Sequence, residues 1–131
     1  MKKYNVIVLK TALAKLRTQS HLTELIGVRV KAVETRGKNT LGYYEQKTST
    51  IVIHPQNHEN LAEYVDTLLH ELAHHVVHYY QKKYDSYYAV HGKEWRQVAE
   101  FLGANPRAVQ LHTHKKTKLP NYIQEAIDAT N

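Results

Sequence analysis

The chain of 131 residues contains no cysteine. That excludes disulfides, thiolate metal sites and a cysteine nucleophile, so any metal must be held by His, Asp or Glu. Long apolar runs are missing as well. The start, Met1-Lys2-Lys3-Tyr4-Asn5-Val6-Ile7-Val8-Leu9-Lys10, is basic, but its apolar stretch stops at Lys10. A secretory signal needs about 7–15 apolar residues and a membrane span about 20. The expected location is therefore the cytoplasm, with no membrane partner. Phe and Trp are scarce, one of each, against 10 Tyr. Tyrosine serves either as a half-buried core and interface residue or as a stacking face for unpaired bases.

What is present is ordinary for a soluble globular protein. Hydrophobic residues make up 42% and charged residues 23%, which argues against general disorder. The length suits one domain over residues 1–131, with a core of about 5–111 and a basic tail at 112–131. The formal charge of +6 favours an acidic partner, for which nucleic acid is the candidate. Lys115-Lys116-Thr117-Lys118 is the clearest phosphate-contact stretch, although short charge runs are commonly plain solvated surface.

Leu9, Ala12, Leu13 and Leu16 recur at helical spacing and predict an amphipathic helix over about 5–25, with a break near Ser20. Val28-Arg29-Val30-Lys31-Ala32-Val33-Glu34 alternates and predicts a half-buried strand. Leu41-Gly42-Tyr43-Tyr44-Glu45 and Thr50-Ile51-Val52-Ile53-His54 predict two more, giving a small antiparallel three-stranded sheet. Asn60 with Glu63 looks like a capping box that opens a helix running to about Lys83. Its apolar stripe is Leu61, Val65, Leu68, Leu72 and Val76. A short helix over 92–102 stops at Gly103, and a last helical piece is expected over 122–129. The expected class is α+β.

The long helix carries the chemistry. Within Leu68-Leu69-His70-Glu71-Leu72-Ala73-His74-His75-Val76-Val77-His78, two histidines four apart face the same way and can reach one metal ion. Glu71 beside them can address a metal-bound water without ligating the metal. The usual alternative, a pair of core histidines, is weakened because the apolar stripe is complete without them. A catalytic zinc takes three protein ligands, and four residues could supply the third. His78 lies about 12 Å along the axis from His70, too far for one ion to take all three easily. His75 points to another face. Glu94 would complete a two-His, one-Glu set. His91 precedes Gly92, which relieves crowding at a helix start and lets the imidazole turn back.

Thr67-Leu68-Leu69-His70-Glu71-Leu72-Ala73-His74 followed by His91-Gly92-Lys93-Glu94-Trp95 resembles the SprT-like (Spartan-type) metallopeptidases. Their core is a strand, a long helix with T-L-L-H-E-L-A-H, and a later H-G-x-E-W or H-G-x-x-F. The resemblance covers roughly residues 41–108. It implies a zincin-like minimal metallopeptidase domain, with His70, His74 and His91 as ligands of Zn2+ and Glu71 as catalytic base. It makes Glu94 a helix or outer residue instead of a ligand. Family members often continue into a cysteine zinc ribbon, which a chain without cysteine cannot build.

The implied function is a zinc-dependent endopeptidase acting on a protein or peptide substrate, with DNA-associated proteins the candidate class. An oxyanion donor is also required, and Tyr84, Tyr87, Tyr88 or His112 could serve. Two alternatives stand beside it. One is a non-catalytic nucleic-acid-binding protein with a structural zinc. The other is a regulatory peptidase that cleaves one repressor, which the run His74-His75-Val76-Val77-His78 faintly resembles.

Overall fold

The computed structural model describes residues 6–20, 22–37 and 39–106. The expected terminal helix at 122–129, the basic tail and His112 lie outside the described residues.

Helix α1 spans Val6–Ser20 and buries Val8, Leu9, Ala12, Leu13 and Leu16. These are the positions that recur at helical spacing, so one face of α1 meets the core. The chain does not continue as one helix to residue 25. After the break comes a separate 3-10 turn, Thr23–Leu25. The break is held from α1 itself. The Arg17 guanidinium donates to the carbonyls of Leu25 at 3.0 Å and Val28 at 2.9 Å, satisfying backbone acceptors as the chain turns into the sheet.

Strands β1 (Arg29–Ala32), β2 (Gly42–Glu45) and β3 (Thr50–Ile53) form one sheet in the order β1-β3-β2. The sheet is mixed, which corrects the antiparallel expectation. β2 and β3 are antiparallel because the tight turn at 46–49 joins them, with Ser49 in the left-handed region at φ 51°. β1 instead pairs parallel with β3, Val30 opposite Ile51 and Lys31 opposite Val52. Residues 33–41 first carry the chain to the far edge, so β3 returns between the two earlier strands. The central position explains the composition of β3. All four of its residues are buried, whereas β1 and β2 alternate.

Gly42 lets the edge strand approach so closely. A Cβ there would stand 2.5 Å from the Val52 carbonyl oxygen and 3.2 Å from Thr67 Cγ2 on the next helix. Any larger residue would wedge β2 away from both β3 and that helix.

Helix α2 spans Leu61–Tyr84. Asn60 caps it, its side-chain oxygen accepting from the Glu63 N–H at 2.8 Å. The return bond of the capping box shifts by one residue, since Glu63 Oε1 accepts from the Glu59 N–H at 2.9 Å. The sheet, α1, the 3-10 turn and α3 (Lys93–Leu102) all pack on α2. It is therefore buried on most of its circumference, His70 and Glu71 included. Trp95, Ala99 and Leu102 are the buried face of α3, and Gly103 ends it at φ 88°.

Candidate metal centre

His70 and His74 leave α2 on one face, and His91 arrives from the loop just before α3. Their ligating nitrogens all lie within 4.8 Å of one another. His74 Nε2 is 3.0 Å from His91 Nε2, and His91 Nε2 is 3.3 Å from His70 Nε2. A tetrahedral ion with metal–nitrogen bonds of about 2.0–2.1 Å holds its nitrogens about 3.3–3.4 Å apart. The arrangement matches the edge of such a site.

The donor set also suits a borderline cation chemically. Burial, reinforced by the neighbouring His91, holds the His74 imidazole down at about 4, and burial lowers His91 too. Both are neutral near pH 7, the form that ligates. The three residues could together hold a metal ion such as zinc.

Trp95 forms the floor. It is fully buried, with its ring centroid 4.7 Å from those of His70 and His91 and 5.5 Å from that of His74. Its indole N–H donates to the His70 carbonyl at 3.3 Å. One side chain thus packs against all three imidazoles and ties α3 to α2. The signal for this role was in the sequence. Trp95 follows His91 by four residues across a helix start, a spacing that returns it to the same side.

The cluster opens into a cleft of about 510 Å³. Its long wall is one face of α2, His70, Glu71, His74, Val77, His78 and Gln81. β2 contributes Gly42, Tyr43 and Tyr44 on one side, and the loop before α3 contributes Tyr87, Tyr88 and Val90 on the other. Glu71 lies at the metal end. It is buried, and burial pushes its carboxyl up to about 8.

The remaining candidates sort themselves by position. His78 lines the cleft but is not one of the three converging residues, in keeping with its distance along the helix. Glu94 is half-buried on α3 and lines neither the cleft nor the cluster. His75 is buried on another face, with Nε2 2.6 Å from the Glu24 carbonyl and Nδ1 2.7 Å from the Tyr44 hydroxyl. The carbonyl can only accept, so Nε2 carries the proton and Nδ1 accepts from Tyr44. Tyr44 lines the cleft with its hydroxyl hydrogen already committed. Of the oxyanion candidates, Tyr87 and Tyr88 line the cleft and Tyr84 does not. Reading the sequence alone missed Tyr43 and Tyr44 as cleft residues, because only the sheet order brings β2 to this wall. It also missed Gln81, whose side chain meets a partner only when the loop folds back onto α2.

The family model described as the SprT-like family matches residues 11–116. The chain belongs to the SprT-like family. Comparison with curated proteins finds no match, and comparison with solved structures finds none either. The family match spans both α2 and the His91-Gly92 segment, so it covers every residue of the cluster and every residue that lines the cleft. Among the described residues no helix is long and apolar enough to cross a membrane.

Proposed function

We propose that this SprT-like chain is a zinc-dependent endopeptidase in which His70, His74 and His91 hold the ion and Glu71 is the general base. The observation that carries the reading is the convergence of three imidazoles with one buried carboxyl group beside them in an open cleft. Zinc bound there would supply a Lewis acid that acidifies water and polarises a carbonyl. Glu71 takes the proton of the attacking water and returns it to the departing amine. Its raised proton affinity suits a group that must do both, and a cation beside it would draw that affinity down from about 8. Trp95 keeps the imidazoles in place and excludes water from behind them.

The deciding experiment compares zinc content and cleavage of an unfolded protein such as casein. Glu71→Gln should retain near-stoichiometric zinc and lose cleavage by about 10²- to 10⁴-fold, the usual weight of a general base. His91→Ala should lose zinc as well. Unimpaired cleavage by zinc-loaded Glu71→Gln would rule out Glu71 as the base, and a zinc-loaded wild type that cleaves nothing would favour a structural zinc in a binding protein.

The formal charge of +6 supports DNA-associated proteins as the substrate class. That part predicts measurable affinity for single- or double-stranded DNA at low salt, where the counterion contribution is largest. Absence of any binding there would remove DNA from the proposal and leave the peptidase untouched.

A further inference from the structure

Two ligands stand on a rigid helix, but the third comes at the end of a loop that has little to hold it. Between α2 and α3, Asp85, Ser86, Tyr87, Ala89 and Val90 are all exposed, with Tyr87 at 83%. Tyr88 alone is half-buried against the core. Downstream, His91 is anchored through α3, because Trp95 packs on its ring and the Gly92 N–H closes a turn onto the Ala89 carbonyl at 3.0 Å. Upstream, the described hydrogen bonds from the loop back to α2 end on Gln81, apart from the Ser86 hydroxyl, which donates to the adjacent Tyr84 carbonyl at 3.1 Å. The Gln81 carbonyl accepts from the Asp85 N–H and, at 3.1 Å, from the Ser86 N–H. The Gln81 side-chain Oε1 accepts from the Tyr88 N–H at 3.1 Å.

We propose that Gln81 is the positioning residue for His91. The inference rests on the reading of His70, His74 and His91 as metal ligands. Its backbone carbonyl ends the helix, and Asp85 turns the chain there in the left-handed region at φ 48°. Its side chain then catches the chain again at Tyr88, fixing the loop at a second point three residues before the ligand. The position demands a long side chain with an acceptor. Lys and Arg have none, Met has the length without the oxygen, and Asn is too short to reach. Glu alone keeps both. With the bond lost, the Tyr88 N–H and the segment that follows are released, and His91 reaches the site in only a fraction of molecules. Metal affinity then falls in proportion to that fraction.

The test is zinc affinity by chelator competition on the full chain, with the visible spectrum of the Co2+ form as an independent measure of coordination. Gln81→Met should weaken zinc about tenfold and dim the Co2+ bands, while Gln81→Glu should stay near wild type. The melting temperature of the metal-free proteins should change little, because the loop is exposed. Should Gln81→Met fail to fold, Gln81→Asn carries the same expectation. Equal zinc affinity in the wild type, the Glu variant and the variant lacking the acceptor would overturn the proposal while leaving the metal site standing. A wild type that binds no zinc would overturn the metal site, and this inference with it.

Discussion

Three carboxyl groups are buried on α2, and each is handled differently. Glu63 serves the N-terminal cap, Glu71 faces the cleft, and Asp66 accepts the Asn105 N–H at 2.8 Å beneath the chain that leaves α3. Burial pushes the Asp66 carboxyl up to about 6, against the lowering effect of that N–H and with a further push from the Glu63 charge. A carboxyl whose folded value lies above its unfolded one binds more protons when folded. Its contribution to stability is complete below about pH 4 and is lost as the pH rises through about 6. Asp66→Asn keeps an acceptor for Asn105 and removes the charge. It should flatten stability between about pH 4 and pH 6 and raise it by about 3 kcal/mol at pH 7, read by urea denaturation across that range. An unchanged slope would show that Asp66 is neutralised by other means. The histidines follow the same economy of position. His75 is committed to Glu24 and Tyr44, and buried His58 bridges the His54 carbonyl at 2.9 Å and Thr67 Oγ1 at 2.8 Å. Among the described residues, only His70, His74 and His91 converge on one another through their ligating nitrogens.

At the level of elements, the site is the meeting of one helix, one edge strand and one loop. α2 supplies the rigid wall and two imidazoles, and its long buried circumference fixes its rotation. β2 supplies the facing wall, and its place depends on Gly42. Gly42→Ala should cost about 1–3 kcal/mol by denaturant titration, since a methyl 2.5 Å from a backbone oxygen forces the strand outwards. The same variant should weaken substrate binding in the cleft more than zinc binding, because β2 lines the cleft and contributes no residue to the histidine cluster. Equal stability of the variant would mean that β2 can shift at no cost, which would undo its role as a fixed wall. α3 contributes packing: Trp95 seals the cluster from behind and gives His91 its downstream anchor.

For the whole molecule, a metal that binds the folded chain and not the unfolded one adds stability through mass action. At free zinc one hundred times its dissociation constant this amounts to about 2.7 kcal/mol. For a domain of this size, chelation should lower the melting temperature by roughly 10 °C. His91→Ala should abolish that sensitivity to chelator. A wild-type melting temperature indifferent to chelator would mean that the folded chain takes no zinc under those conditions. The core does not require the ion to form its layers: α1, the sheet and α3 all pack on α2 through apolar side chains. The metal-free protein should therefore be folded with a lowered melting temperature, unlike a small domain that folds only around its metal.

Local chemistry was legible without coordinates. The spacing of His70 and His74, the Asn60 cap, the apolar stripes of α1 and α2 and the stop at Gly103 all follow from residues close in sequence, where helix periodicity acts directly. The resemblance to the SprT-like family added His91 through a second motif that periodicity alone left among four candidates. What the sequence could not contain was the order of the strands, because Val28-Arg29-Val30 reads the same whether its neighbour runs parallel or antiparallel. Strand order decides that β2 is an edge, that Tyr44 faces the helix carrying His74, and that His75 is tied up by Tyr44. The role of Gln81 is of the same kind, since a polar residue on a helix face has no visible meaning until a loop folds back onto it. Sequence by itself determined which groups could hold a metal. Tertiary structure decided which of them meet, because convergence to within a few ångströms depends on how separate elements pack.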